Sequence, residues 1–270
     1  MEPWRLIQSG ALRGAMNMAL DEALYEAVAR GESPPVLRLY RWDPATVTLG
    51  YAQRSDDAIN FTACRELGFD VVRRSTGGRA VFHHREVTYA LIAPIDHPLF
   101  TGGILESYRA ISGPLQRMLA ELGVRADLVP ARRSGSRTDV HDICFTAPAS
   151  YELSVGSHKI AGSAQKRNDR AFLQHGSIPV DLDLTLMARV LGKPGQTNYE
   201  SMARQLASKV GWVNRYLERP VTLEQVEAAM VSAFCGSIEG DWQFSSPDKE
   251  ELLRAQQLHD ERFDQAAWSV

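Results

Sequence analysis

Cysteine is scarce in this chain. There are three in 270 residues, Cys64, Cys144 and Cys235, far apart and with no Cys-x-x-Cys pair. An odd count without framework spacing excludes a disulfide scaffold and points to free thiols in a reducing compartment. A metal-ligand pattern is also lacking, because His83-His84 is an adjacent pair that faces opposite ways on an extended chain. Charge of one sign is not in excess: a formal net charge of −3 gives no reason to expect nucleic acid as a partner. No apolar run reaches membrane-spanning length, and the opening MEPWRLIQSG has no apolar signal core, so a soluble cytoplasmic protein with no membrane partner is expected. No Gly-Lys-Ser/Thr follows Gly77-Gly78 and no dinucleotide fingerprint occurs, which removes the phosphate-loop and Rossmann readings.

What is present is ordinary globular composition, 44% hydrophobic and 23% charged, over a length that fits one large domain or one domain with an appendage. Trp4–Ile7 reads as a strand. Met16, Leu20, Ala23, Leu24, Ala27 and Val28 recur at helical spacing until Gly31 and Pro34-Pro35 end the helix. Val36–Arg41 and Thr46–Gly50 read as strands joined by an Asp43-Pro44 turn. Asn60 caps a short helix through Leu67, and Asp70–Arg74 is a further strand. A helical stripe runs from Ile104 to Leu122, with Gly113-Pro114 expected to kink or split it. Ala131–Asp142 reads as a polar loop, Phe172–Val180 as a strand and Leu182–Leu191 as a helix, with 192–199 irregular. Thr222 and Gln225 form a capping box for a helix through Phe234, and Ser246-Pro247 starts a last helix reaching Trp268. Strands come in hairpin-like pairs rather than in βαβ alternation. The expected class is therefore α+β, with a mixed or antiparallel central sheet flanked by helices.

Two stretches carry chemistry. In Cys144–Gln165, CFTAPASYELSVGSHKIAGSAQ, Cys144 falls on a loop before a two-residue hairpin turn at Gly156-Ser157. That turn pairs Ser154 with Lys159 and Leu153 with Ile160, burying Leu153 and Ile160 and placing Lys159 on the other face. The other stretch, Arg73–Tyr89, reads RRSTGGRAVFHHREVTY. Its adjacent glycines let the backbone approach a ligand and offer N–H groups to a carbonyl or phosphate, flanked by Arg73, Arg74 and Arg79.

RRSTGGRAVFH with Glu86 and Thr88-Tyr89, then KIAGSAQ, then LQHGSI at Leu173–Ile178, resembles the biotin/lipoate protein ligase superfamily in motif order and approximate spacing. CF-x-AP-x-x-YEL before KIAGSAQ resembles its cysteine-dependent octanoyltransferases of the LipM type; the one departure is Ser75 where that loop has proline. The resemblance implies a catalytic domain over 1–240 and a C-terminal helical extension packed on it over 241–270. It further implies an acyl channel lined by the Gly-Gly loop and the KIAGSAQ strand. Cys144 matches the family's acyl-thioester nucleophile and Lys159 its partner lysine. Arg73, Arg74, Thr76, Gly77, Gly78, Arg79 and His83 match the ligand loop, and Gly162, Ser163, Ala164, His175 and Gly176 the rest of the pocket.

The implied activity is octanoyl transfer from octanoyl–acyl carrier protein to a lysine of a lipoyl domain, the glycine cleavage H protein in first place. No ATP, metal or other cofactor is expected beyond the phosphopantetheine carried by the donor, and a monomer is expected. A free thiol of pKa ~8.5 is mostly protonated at neutral pH, so an ammonium nearby, Lys159, is expected to lower the Cys144 pKa and to assist proton transfer. Three alternatives stand beside this. An amidotransferase acting from octanoyl-H protein would use the same residues. An ATP-dependent lipoate–protein ligase is disfavoured by the cysteine and by a tail after about Asp241 that is short for an accessory domain. A non-catalytic acyl-binding protein is disfavoured by the intact Cys, Lys and Gly-Gly set. For Cys64 and Cys235 a packing role is expected.

Overall fold

The computed structural model describes residues 1–54, 59–130, 151–193, 195 and 198–264. Its main sheet begins with β1 (Pro3–Leu12), followed by α1 (Gly14–Arg30) and β2 (Val36–Trp42). α1 ends where the sequence says it must, at Gly31, whose φ of +74° closes the last turn on Ala27 and Val28 carbonyls. β1 and β2 pair in parallel, so the chain opens on a βαβ unit that the hairpin-like pattern did not disclose. β3 (Thr46–Leu49) does not turn back on β2. It joins β4 (Asp70–Arg73) and β5 (Val81–His83) in a small three-stranded sheet, with α2 (Phe61–Glu66) between, capped by the Asn60 side chain on the Ala63 N–H.

β6 (Glu86–Pro94) returns to the main sheet. α3 (Ile104–Glu121), β7 (Asp127–Pro130), β8 (Tyr151–Val155), β9 (His158–Arg167) and β10 (Ala171–Pro179) follow. α3 is one continuous helix despite Pro114. The ring removes a bond to the Ala110 carbonyl, but Ala110 is exposed and water can take its place, while Pro114 itself is buried. After β10 come α4 (Leu184–Leu191) and α5 (Tyr199–Ala207), then α6 (Leu223–Ser237) with the expected Thr222–Gln225 capping box. β11 (Asp241–Ser245) and α7 (Lys249–Leu258) complete the described chain. α7 starts two residues later than expected, because Asp248 and Glu251 form a capping box of their own. Its expected reach to Trp268 passes outside the described residues.

The eight-stranded sheet runs β11-β1-β2-β6-β10-β9-β8-β7, parallel across its first two pairings and antiparallel from β2 onward. The α+β class with a mixed sheet is therefore as expected. β11 was not anticipated: the segment expected as a helical extension begins with a strand paired to β1, with Trp242 stacked on Trp4 at 4.9 Å. Alternation along the strands sorts the core. Leu37, Leu39, Tyr89 and Leu91 face α3 and α6, whereas Val36, Tyr40, Ala90 and Ile92 face α1 and α7. The small sheet has its own core, in which Val47, Leu49 and Phe82 meet Met187, Leu191 and Leu206 of α4 and α5. Among the described residues no helix is long and apolar enough to cross a membrane.

Candidate active site

A cavity of about 280 Å³ lies between the two sheets, at the small end of ligand pockets, which run from roughly 300 Å³ upward. Met18, Tyr40, Trp42, Val81, Ile104 and Tyr108 supply its apolar wall. Gly162, Ser163, Ala164 and Gln165 of β9 and His175, Gly176 and Ser177 of β10 form one side, and Arg74, Gly77 and Gly78 the other. Gly176 is needed for this closeness: a Cβ there would come within 2.5 Å of the Tyr89 ring and 2.6 Å of the Ser163 hydroxyl.

The Gly-Gly loop is held from inside. Arg74 is buried and donates to the carbonyls of Thr48, Gly77 and Arg79 and to the Thr48 hydroxyl. Arg73 turns away and donates to the carbonyls of Gly50 and Gln53 at 2.8 and 2.6 Å. Gly78 has a φ of +96°, and its carbonyl lies so close to Gly50 that a Cβ on the latter would sit 1.8 Å from it. Of the loop residues expected to bind ligand, Arg74, Gly77, Gly78 and His83 line the cavity; Arg73, Thr76 and Arg79 are not among its lining residues. Arg73 and Arg74 thus both brace the backbone on this side of the cavity.

Two buried histidine–carboxylate pairs back the cavity. His175 Nδ1 lies 3.3 Å from Asp21 Oδ2. A carboxylate only accepts, so the ring proton is on Nδ1, leaving Nε2 to accept from the Thr76 hydroxyl at 2.6 Å. Asp21 also receives Arg38 at 2.6 Å and the Tyr40 hydroxyl at 2.8 Å. Burial pushes the Asp21 carboxyl up, but the Arg38 charge and the hydrogen bonds from His175 and Tyr40 outweigh it and hold it below its usual range. Burial, with the Arg74 and His83 charges, carries His175 below its ordinary value despite Asp21. In the second pair His83 Nδ1 meets Glu86 Oε1 at 2.8 Å, while His83 stacks on Trp42 at 4.1 Å. Glu86 also accepts from Thr88 and Ser177, and Trp42 donates to Thr88. Burial would raise Glu86; His83 and the two hydroxyls bring it below its usual value.

Lys159 lies at the cavity wall, and its placement corrects one expectation. Ser154 pairs with Lys159 as the Gly156-Ser157 turn predicts, but Leu153 pairs with Ala161, leaving Ile160 as an extra, bulged residue. Lys159 is buried along with Leu153 and Ile160. Its backbone is clamped by a segment far along the chain, donating to Lys209 and accepting from Gly211. Its ammonium donates to Glu152 Oε1 at 2.8 Å, with side chains 7% and 17% exposed.

Asp21, Arg38, Tyr40, Glu152 and the clamp at 209–211 escaped sequence reasoning. Only Glu152 carried a signal, lying two residues before Ser154 on the same strand face. The candidate nucleophile Cys144 and the 131–142 loop lie outside the described residues. Cys64 is fully buried in the core of the small sheet, where burial pushes its thiol up to about 12. Cys235, also raised by burial, packs on α6 against the main core. Both have the packing role expected of them. Among the described residues no His, Cys, Asp and Glu group could hold a metal.

The two sheets thus hold an apolar cavity between a Gly-Gly loop and a lysine-bearing strand. The chain belongs to the lipoyl protein ligase A/B catalytic domain family, whose model matches residues 13–235. It is similar to an octanoyltransferase LipM of Carboxydothermus hydrogenoformans, 36% identical over 99% of this chain and 98% of that one. It is also similar to an octanoyltransferase LipM of Symbiobacterium thermophilum, 41% identical over 87% and 86%. With relatives of this kind along nearly its full length, the protein is an acyltransferase. Among solved structures, the bipartite lipoate protein ligase of Thermoplasma acidophilum shares the fold, with a TM-score of 0.80 at 24% identity over 99% of this chain and 96% of that one.

Proposed function

We propose that the protein is an octanoyltransferase of protein lipoylation. It moves an octanoyl group from octanoyl–acyl carrier protein, through a thioester on Cys144, to a lysine of a lipoyl domain such as that of the glycine cleavage H protein. The observation that carries this reading is the narrow apolar cavity with a buried ammonium, Lys159, at its wall. The relatives' octanoyltransferase names support the acyl group and the reaction class.

In the first step the Cys144 thiolate attacks the donor thioester carbonyl. The new C–S bond forms, and the phosphopantetheine sulfur leaves and takes up a proton. Backbone N–H groups of Gly77-Gly78 or of Gly162–Ala164, at the cavity wall, are suited to hold the intermediate oxyanion. In the second step the neutral amine of the acceptor lysine attacks the acyl-enzyme. The C–N bond forms, the Cys144 sulfur leaves, and the amine proton passes to it or to solvent. Lys159 favours the thiolate both as nucleophile and as leaving group. Thioester exchange is near thermoneutral and amide formation is downhill, so ATP has no step to drive. His175, held with its proton on Nδ1, fixes Thr76 and with it the loop.

Incubation with octanoyl–acyl carrier protein, followed by intact mass, tests the reading. An added octanoyl mass on the wild type without ATP, absent from Cys144→Ser, is the expected result. Modification of a lipoyl domain only when ATP and free octanoate are supplied would move the protein to the ligases. Acylation by octanoyl-H protein alone would make it the amidotransferase.

A further inference from the structure

A chain of uncharged hydrogen bonds runs through the sheet to the cavity wall. Ser163 lines the cavity, and its hydroxyl meets the Tyr89 hydroxyl at 2.8 Å. The two residues stand on β9 and β6, two strand spacings or roughly 10 Å apart, with Gly176 of β10 paired to both. Tyr89 reaches Ser163 across that glycine, where a Cβ would strike both groups. Tyr89 in turn receives a Gln174 amide N–H at 3.0 Å, and the Gln174 oxygen receives a Gln165 amide N–H at 3.1 Å. Gln174 and Tyr89 are buried. The chain ends at Gln165, whose own side-chain oxygen is buried and has no partner among the described residues.

The amides give this chain a direction. With a Gln174 N–H on its oxygen, Tyr89 has its one proton left for Ser163. Burial carries the phenol above its ordinary value, against the hydrogen bonds with Ser163 and Gln174, so the proton stays on it. The Ser163 oxygen then accepts, and its own proton is left for a partner other than Tyr89; among the described residues its hydroxyl has none. Turned the other way, the amides would draw the phenol proton to Gln174 and the serine proton to Tyr89. That arrangement would leave an NH2 unpaired at Gln165 in place of an oxygen, and buried oxygens go unpaired more readily than buried N–H groups.

We infer that Gln174 is a positioning residue: through Tyr89 it turns the Ser163 hydroxyl proton toward the carbonyl oxygen of the bound acyl group. This rests on the reading of the cavity as an acyl site. The hydroxyl joins the backbone N–H groups as a donor that strengthens as the carbonyl oxygen gains charge. A proton held in place beforehand needs no reorientation at that moment, whereas a freely rotating hydroxyl does. No bond is made or broken within the chain itself.

Acylation of the full chain by octanoyl-pantetheine, a soluble thioester, followed by intact mass at several thioester concentrations, tests the inference. Ser163→Ala is expected to lower kcat for acylation by about a hundredfold, the scale of one lost oxyanion donor. Gln174→Met keeps the bulk and removes the amide, and is expected to lower kcat by about tenfold with KM little changed. In a Ser163→Ala background the same change is expected to have no further effect, because Gln174 acts only through the serine. Gln174→Glu gives a second readout. Protonated, its carboxylic acid still donates to Tyr89; ionised, it only accepts and reverses the chain. Burial raises such a carboxyl toward neutrality, so its rate relative to wild type is expected to fall as pH rises, and not to fall in the Ser163→Ala background. Equal losses from Gln174→Met with and without Ser163, or a wild-type rate in Ser163→Ala, overturn the inference and leave the acyl site intact. Should Gln174→Met not fold, the nearly isosteric Gln174→Glu decides, and a ratio to wild type that does not change with pH overturns the inference. If the wild type takes up no octanoyl group, the acyl-site reading falls and the inference with it.

Discussion

The two histidine–carboxylate pairs behind the cavity do similar work with different construction. His83 and Glu86 are three residues apart across one turn, and Glu86 is otherwise satisfied by the neutral hydroxyls of Thr88 and Ser177. Asp21 and His175 are 154 residues apart, from α1 and β10, and Asp21 also neutralises Arg38, which is 0% exposed. Arg38 in turn donates to Asn17 and Ser9 and lies 4.0 Å over the Tyr40 ring. One pair is a local clip. The other is a junction whose removal strands a buried guanidinium.

The largest expected effect follows from that asymmetry. Asp21→Ala is expected to destabilise the protein by about 3–5 kcal/mol, because Arg38 is left buried without its counter-charge. Glu86→Gln keeps a side chain of the same shape and strands no fixed charge, so about 1–3 kcal/mol is expected. Urea denaturation of both variants checks the order, and equal losses would dissolve the distinction.

Acid separates the pairs further. Both carboxylates are held below their ordinary values, so the stability they confer is complete above the unfolded range near pH 4 and is lost as pH falls through the depressed values. His175 also has a lowered value, but for a base this has the opposite origin. The folded ring stays neutral while the unfolded one takes up a proton near pH 6.5, so stability begins to fall from about that pH downward. In melting curves from pH 7 to pH 5, His175→Gln is therefore expected to lose less stability over this interval than the wild type. A slope unchanged by the substitution would remove His175 as its source. The smallest effect is at the far end of the chain of bonds. Thr76→Val is expected to cost about 1 kcal/mol through loss of the hydroxyl on His175, and Thr76→Ser to restore it.

The same contrast explains what could be read from the sequence. His83, Glu86 and Thr88 sit within one motif, so proximity along the chain stands in for proximity in space. Asp21 belongs to a helix with buried residues all round, and nothing local distinguishes it from a surface carboxylate. The Gly156-Ser157 turn fixed the Ser154–Lys159 register, but the bulge at Ile160 has no such signal, and without it the burial of Lys159 is not visible. Pro114 was legible as a helix breaker; that Ala110 would be exposed was not. β11 reads DWQFS, a polar–apolar alternation only five residues long, and on this edge strand Phe244 is left exposed, so the pattern has little core to face. α5 escaped notice for want of a clear stop and start around residues 192–199.

β11 has one more consequence, for the order in which the protein is made. β1 is among the first segments to leave the ribosome, yet the strand that covers its outer edge and stacks Trp242 on Trp4 is among the last described. Throughout synthesis that edge has unpaired N–H and C=O groups and an uncovered indole, the features by which nascent strands associate wrongly. Chaperone dependence should therefore be highest just before residues 241–245 emerge, and a ribosome-bound chain halted there should be more prone to aggregate than one released a few residues later.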